Sequence, residues 1–580
     1  MLLRYYWAAL LTTVAALVVA GVIFLMFNHG PLVLFLVIPI VWFLFSGDGG
    51  NSSRLGSARI ACYIDVLLSG LIFNRSGVLL GKTGQMRSPT LEQRIVALFN
   101  WPSSLSREAL CIFHGNQTEG QALRLPEIHG MHVAYVAPTG QGKSAGYAIP
   151  NLLTDPNSAV VLDYKGELLR ETGYARMQRF GQRIVCFAPF GLPSDVSYPI
   201  DTFNPLHLID PSSRLYLDDA SSIAKSLIVR EANEHQPFFN DAAEMLLTSF
   251  LAVLIAEDSK EKCTLGRLRE IVSLPHIMDE VTTFMMDHAQ RYPKQMEQLA
   301  GPVLSLQGDA RFNVISTINA HLRWLDSVPV AESLATSSFD PAELFAAPGM
   351  TIYVHIPVRL IHAYRGLTRV IFSSLINFIF QQGESSHRRI RFYLDESHGL
   401  GGKLDSLYAA MVYGRSYGIN LNFFFQAISQ VDEIFSDSRA KDFFSNIVPV
   451  FTGIRDLETA KLVSSWIGRQ TINAASWQDG LNGSVSESFQ DRGGRTNSRS
   501  YGYSSSQSWQ EQSRELLMPE EILQLPERTS IITVPHLPPI IARPNFYFED
   551  QRLSKLAEVS RNFAWIHSES YRQADRAISS

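Results

Sequence analysis

Between positions 133 and 153 the chain reads VAYVAPTGQGKSAGYAIPNLL: an apolar run, a short turn holding Gly140 and Gly142, the triplet Gly142-Lys143-Ser144, then apolar residues at helical spacing. Few stretches constrain a fold so tightly. A strand that breaks into a glycine-rich turn and feeds a helix aims successive backbone N–H groups, and the positive end of that helix, at one point in space, which is how a phosphate chain is held. The pattern is A-x-x-x-x-G-K-S. Ala137 stands where glycine is usual, but the position asks only for a small residue leaving a strand. We expect Thr139, Gly140, Gln141, Gly142, Lys143 and Ser144 to contact a nucleoside triphosphate. The glycines free the backbone, Lys143 reaches the terminal phosphates, and the Ser144 hydroxyl ligates magnesium.

Hydrolysis needs a second element, a carboxylate pair at a strand end, one member in the magnesium shell and the other polarising the attacking water. RFYLDES supplies Asp395 and Glu396 after the apolar Phe392, Tyr393 and Leu394. VVLDYKGE offers a rival in Asp163, only about 20 residues after the phosphate loop, as expected of the strand that follows it. We take Asp395 as the metal ligand and Glu396 as the base. Asp163 and Lys165 then shape the rim, or Asp163 is a turn residue or helix cap. Downstream, Gln426 ends the apolar run INLNFFF, where a buried amide needs a partner that a terminal phosphate or attacking water would supply. Arg415, in the turn Gly414-Arg415-Ser416, is suited to stabilising charge on a neighbouring subunit's phosphate, or is a surface arginine without a role.

Continuous apolar runs at MHVAYVAP, SAVVLDYKG, RIVCFAP, MTIYVHIP, RIRFYLDES, INLNFFFQ and IVPVFTG alternate with helical patterns. Strands apolar on both faces mark a mostly parallel sheet covered by helices, an α/β fold. The interval 212–335 has apolar residues at helical spacing and no comparable strand, so it is expected to be an all-alpha inserted domain. Positions 473–513 are rich in Ser, Gly, Asn and Gln with few aliphatics, and are expected to form a mobile loop. Its Arg492, Arg495 and Arg499 with Tyr501 and Tyr503 offer charge and stacking to single-stranded nucleic acid, but a solvated linker is the simpler reading. The expected domains are a transmembrane hairpin at 1–50, the nucleotide-binding domain at 51–211 and 336–550 around the insert, and a tail at 551–580.

A length of 580 residues calls for more than one folded unit, and 46% hydrophobic against 18% charged residues excludes a wholly disordered chain. A net charge of −5 gives no global pull on nucleic acid, so any such contact must come from a local basic lining. The four cysteines, Cys62, Cys111, Cys186 and Cys263, show no C-x-x-C pair and no zinc spacing, as for thiols in a reducing compartment. Two uncharged apolar runs, at 5–27 and 31–45, are separated only by NHG. The first is long enough to cross about 30 Å of hydrocarbon, and the second lies near the short limit of a span. Arg4 precedes them and Arg54 and Arg59 follow, which predicts a two-helix hairpin with both ends, and the bulk of the chain, in the cytoplasm.

In this order, the paired apolar runs, GVLLGK, HVAYVAPTGQGKS, IPNLL, VVLDYKGEL, FNPL, FYLDES, GRSYGINLNFFFQ, SSWIGRQT and RELLMPEEILQLP resemble the type IV coupling proteins, membrane-anchored ATPases of bacterial conjugation and type IV secretion. The resemblance covers nearly the whole chain. It implies a RecA-like P-loop domain with an all-alpha insert, a homo-oligomer assembling as a hexameric ring in the bacterial inner membrane, and ATP with Mg2+ bound between subunits. It also implies recruitment of relaxase-bound single-stranded DNA or effector proteins to the secretion channel components. Arg415 then matches the trans-acting arginine and Gln426 the sensor. Ser397-His398 depart from the apolar residue common after the acidic pair. Two other functions share parts of this pattern: a membrane-tethered DNA translocase of the chromosome-segregation type, whose winged C-terminal module is not evident in 551–580, and a nucleotide-binding scaffold that would not need Glu396.

Overall fold

The computed structural model describes residues 58–61, 65–66, 69–72, 77–83, 122–126, 130–230, 237–257, 259–273, 298, 301, 305–306, 308–384, 389–435, 442–489 and 495–563, the side chains of His398 and 473–509 excepted. The expected membrane hairpin lies outside the described residues. The chain divides into two units, residues 58–468 with 515–580, and residues 1–57 with 469–514.

The larger unit is built on one sheet. Its strands are β3 (His132–Val136), β4 (Ser158–Leu162), β5 (Arg183–Phe187), β6 (Met350–Val354), β7 (Ile390–Leu394), β8 (Ile419–Phe425), β9 (Ile447–Thr452), β12 (Ser530–Ile532) and β13 (Ile540–Ala542), in the order β13-β12-β9-β3-β8-β7-β4-β6-β5. A separate pair, β1 (Val78–Lys82) and β2 (Ala122–Leu125), is antiparallel. From β9 to β5 every pairing is parallel, and all seven apolar runs of the sequence are these strands. Their double-sided burial has the expected cause. On β3, Ala134 and Val136 enter one core while Val133 and Tyr135 enter the core on the opposite face. The final two strands add an antiparallel edge at β9.

Between β5 and β6 the described elements include the helices Tyr216–Leu227, Pro237–Glu257, Leu265–Val272, Asp309–Leu322 and Val328–Ser333, and no strand is described there. Pro237–Ala256 is long and apolar enough to cross a bilayer, yet 67% of its most apolar window is buried inside the protein. Ala243, Leu247, Leu251 and Val253 share the core that lines one face of the sheet, so this is the central helix of the insert. The tail is not wholly separate either. Residues 551–563 are helical and dock on the helix Glu167–Phe180, with Phe563 stacked on Tyr174 at 3.9 Å and Arg561 3.2 Å from Glu171.

The structure departs from the expected loop at 473–513. There the second unit has two strands, β10 (Arg469–Phe489) and β11 (Arg495–Glu515), paired with each other. Strand pairing satisfies backbone donors and acceptors mutually and needs no aliphatic side chains. The sequence also carries a period of two that composition hides. Trp477, Leu481, Val485, Phe489, Tyr501, Tyr503 and Trp509 all fall at odd positions, and most even positions are Ser, Gly, Asn or Gln.

One buried ion pair pins the amino ends of the central strands. Arg391 on β7 and Asp155, just before β4, meet at 2.7 Å with side chains 2% and 1% exposed. Burial alone would raise the Asp155 carboxyl, but Arg391, the Asn157 backbone N–H and Arg176 together hold it below its ordinary value. A carboxylate so depressed stabilises the fold above its unfolded pKa and loses that contribution as pH falls through its folded one. Asp155→Ala strands a buried guanidinium, and we expect a loss of about 3–5 kcal/mol at neutral pH by urea unfolding. The loss relative to the parent should shrink only as pH falls through the parent carboxyl's own depressed pKa, below the ordinary aspartate range.

Candidate nucleotide-binding site

The turn after β3 has the backbone its glycines foretold. Gly140 and Gly142 adopt φ of +82° and +79°, in the left-handed region open to glycine. Open space surrounds Gly140, with no atom within 4 Å of where a Cβ would stand. The chain then enters a wide π-type turn over Ser144–Ala148 before the helix Ile149–Thr154. Lys143 is buried, and its Nζ donates to the Ala137 carbonyl at 2.6 Å, so the ammonium lies folded back over the loop. Burial lowers its pKa, while Glu396 and then Asp395 oppose the shift.

The outer side of the loop is packed by a segment remote in sequence. A Cβ on Gly142 would lie 2.2 Å from the Phe546 ring, and one on Gly146 would lie 2.6 Å from Pro544. Asn545 and Tyr547 donate backbone N–H groups to the carbonyls of Gly146 and Ala145, both at 3.1 Å. Gly142 therefore serves both a turn and a close approach. Sequence reading missed this role of Pro544 and Phe546 because nothing local to either segment encodes it.

The acidic groups come from neighbouring strands. Parallel pairing sets β3 beside β8, β8 beside β7 and β7 beside β4, so their carboxyl ends bring the phosphate loop, Gln426, Asp395-Glu396 and Asp163 into one row. The Gln426 amide bridges this row. Its Nε2 donates to Glu396 Oε2 at 2.7 Å, its Oε1 accepts from Thr139 Oγ1 at 3.2 Å, and its backbone N–H donates to Gln430 Oε1 at 2.7 Å. Gln430 is a second functional candidate that sequence reading did not find. Glu396 has φ of +47°, a costly conformation for a residue with a Cβ, and such strain concentrates at working sites.

Asp395 is 4% exposed, and its carboxyl is pushed up to about 7 by burial first, then by the charges of Glu396 and Asp163, against the pull of Lys165 and Lys143. Asp163 is buried too, and its carboxyl is likewise raised by burial, opposed by the Leu169 N–H. Its Oδ2 accepts from Leu169 N at 2.9 Å in the first turn of the helix Glu167–Phe180, so the capping alternative holds for that oxygen. Its Oδ1 has no hydrogen-bond partner among the described residues. Lys165 is exposed at the rim.

Arg415 is not part of this row. It is exposed at the amino end of β8, where Gly130 abuts it and Arg389 donates to its carbonyl at 2.7 Å. The length of β8, about 20 Å, separates it from Gln426. The arrangement around Lys143 fits a polyphosphate carrying a divalent cation: an open glycine turn, a lysine parked on its own loop, and a desolvated carboxyl near neutrality whose proton a metal ion would displace.

Residues 93–573 match the family described as "Type IV secretory system Conjugative DNA transfer". The type IV secretion system-coupling protein VirD4 of Bartonella henselae is 23% identical over 444 residues, which cover 74% of this chain and 65% of that protein. Protein VirD4 of Agrobacterium fabrum is 24% identical over 447 residues, covering 74% of this chain and 60% of its own. The conjugal transfer protein TraG of Rhizobium radiobacter is 26% identical over 441 residues, 74% of this chain and 64% of that one. The chain thus spans under two thirds of the length of these curated relatives. Among solved structures, the plasmid coupling protein TrwB in complex with ADP and Mg2+ superposes with a TM-score of 0.57 at 15% identity, covering 86% of this chain and 96% of the other. A sulphate complex of TrwBdeltaN70 gives 0.58 at the same identity and coverage. These likenesses are of fold, a RecA-like α/β domain with an all-alpha insertion. The family match, which extends over most of the chain, shows that it belongs to the type IV secretory system conjugative DNA transfer family.

Proposed function

We propose that this chain is a membrane-anchored coupling ATPase, recruiting relaxase-bound single-stranded DNA or effector proteins to a type IV secretion channel and driving their transfer by ATP hydrolysis. The observation that carries the reading is the bridge from Thr139 through Gln426 to Glu396 above the phosphate loop. It joins a loop built for phosphates to a carboxylate placed for proton transfer. The VirD4, TraG and TrwB likenesses support it, as does the description of one TrwB structure as a complex with ADP and Mg2+. The apolar runs at 5–27 and 31–45 would anchor the chain in the bacterial cytoplasmic membrane, its bulk in the cytoplasm.

The backbone N–H groups of 139–144 and the Lys143 ammonium would bind the phosphates of ATP, and Ser144 with Asp395 would hold Mg2+. The metal supplies charge neutralisation along the phosphate chain. Lys143 leaves the Ala137 carbonyl to do its part. Glu396 takes the proton of the attacking water, and Gln426, released from Glu396, senses the terminal phosphate. Arg415 lies at the far end of β8 from its own site, so on this reading it would reach a nucleotide on another copy, and a closed ring, taken as hexameric, would provide that contact.

Steady-state phosphate release tests this reading. Lys143→Ala should lose nucleotide affinity and turnover together. Glu396→Gln should lose turnover by about 10²-fold or more while still binding ATP. A Glu396→Gln variant as active as the parent would leave a nucleotide-dependent scaffold as the better reading.

Asp395 sets a pH dependence. With its carboxyl near 7, Mg2+ must displace a proton below that pH, so Mg2+-dependent nucleotide affinity should fall about tenfold per pH unit from 7 to 5. Asp395→Asn should flatten that profile in calorimetric titrations. The folded state holds this proton more tightly than the unfolded chain, so the carboxyl costs stability progressively from about pH 4 to 7 and fully above 7. Asp395→Asn should therefore stabilise the protein more at pH 8 than at pH 5, by on the order of a few kcal/mol at most.

A further inference from the structure

Arg369, in the helix Arg365–Gln381, is among the largest fully buried side chains, yet among the described residues its hydrogen bonds all go to main-chain carbonyls rather than to a carboxylate. On one side Nη1 donates to Gly401 at 2.5 Å, with Leu400 and Gly402 each at 3.5 Å, and Nη2 donates to Lys403 at 2.6 Å. On the other side Nε reaches Ser226 at 3.3 Å and Nη2 reaches Ile228 at 3.4 Å. Burial lowers its pKa to about 10, partly offset by Asp405, so the group stays a cation.

The two sets of carbonyls belong to segments with different roles. Residues 400–403 end the loop that begins at Glu396, whose first turn closes through Gly399 N to Glu396 O at 2.8 Å. Ser397 Oγ ties that turn to the strand ends, donating to Leu394 O at 2.6 Å and accepting from Phe424 N at 3.2 Å. Residues 226–230 are where the first helix of the insert, Tyr216–Leu227, gives way to the chain that leads into Pro237–Glu257. The segments also bond directly, Lys403 N to Arg230 O at 3.0 Å, as an isolated antiparallel bridge. Gly401 and Gly402, at φ of +55° and +61°, turn their carbonyls towards the cation, and a Cβ on Gly402 would lie 2.1 Å from Arg230 O.

We propose that Arg369 is a positioning residue that makes the Glu396 loop and the 226–230 strut one body, so that the nucleotide state of the site is passed to the all-alpha domain. This rests on the nucleotide-binding reading given above. Away from water, charge-assisted bonds to carbonyls are strong, and parting either segment from Arg369 leaves a buried cation under-solvated. A shift of Glu396 on nucleotide binding is therefore cheaper when the strut follows. By linkage, whatever moves the strut also biases the site.

Hydrogen exchange on the full chain, with and without a non-hydrolysable ATP analogue and Mg2+, tests this. In the parent, the analogue should slow exchange at 139–146 and, by about fivefold or more, at 226–230 as well. Arg369→Met should keep the first response, with analogue affinity within about twofold of the parent, and lose the second, while Arg369→Lys should keep part of it. Gly402→Ala leaves the cation in place and forces Lys403 from Arg230. It should also uncouple the two responses, and it decides the matter if Arg369→Met does not fold. A parent that responds at 139–146 but not at 226–230, or folded variants that keep both responses, would overturn this proposal alone. A parent with no response at 139–146 would overturn the nucleotide reading itself.

Discussion

Everything in the candidate site depends on the main-chain pairing of β3, β8, β7 and β4 in parallel register. Each strand ends at the same edge of the sheet, so four loops far apart in sequence deliver their first residues to one line. The pairing is buried on both faces, and the helices that cover it leave its carboxyl edge for binding, as open parallel sheets generally do. The Asp155–Arg391 pair secures the opposite edge of the same strands, so stability and site geometry are held at different ends of one element.

Along that edge the electrostatics are unbalanced. Asp163, Asp395 and Glu396 crowd together, and the folded chain tolerates them by keeping Asp395 near its midpoint of titration and by hydrogen-bonding Glu396 to Gln426. The strained backbone of Glu396 points the same way. A strained site rich in carboxylates suits a cationic ligand, and on the proposed reading a metal-bound phosphate chain would meet that need and draw Lys143 away from the Ala137 carbonyl.

The all-alpha insert shares one continuous hydrophobic core with the sheet face beneath it, so it is not a loosely tethered module. Arg369 adds a polar joint to that apolar contact, at the point where the insert's first helix passes the loop that follows Glu396. A purely apolar interface permits small slides. A buried cation shared among several carbonyls does not, because each of its bonds has a fixed direction.

Local chemistry made much of this legible in the sequence. The seven parallel strands, the glycine turn, the Asp395-Glu396 pair and the place of Gln426 follow from hydrophobic runs and from the few residues that end them, since a strand buried on both faces must be apolar and its ends must hold the polar work. The paired strands over 469–515 are masked by a loop-like composition, and their signal lies only in the alternation of odd and even positions. Tertiary structure alone decided that Phe546 and Pro544 would back the phosphate loop, that Asp163 would keep one oxygen without a hydrogen bond beside the site, and that Arg369 would bind two separate segments. Those pairings join residues up to about 400 positions apart, and no periodic or neighbouring signal records which distant surfaces will meet once a chain is packed.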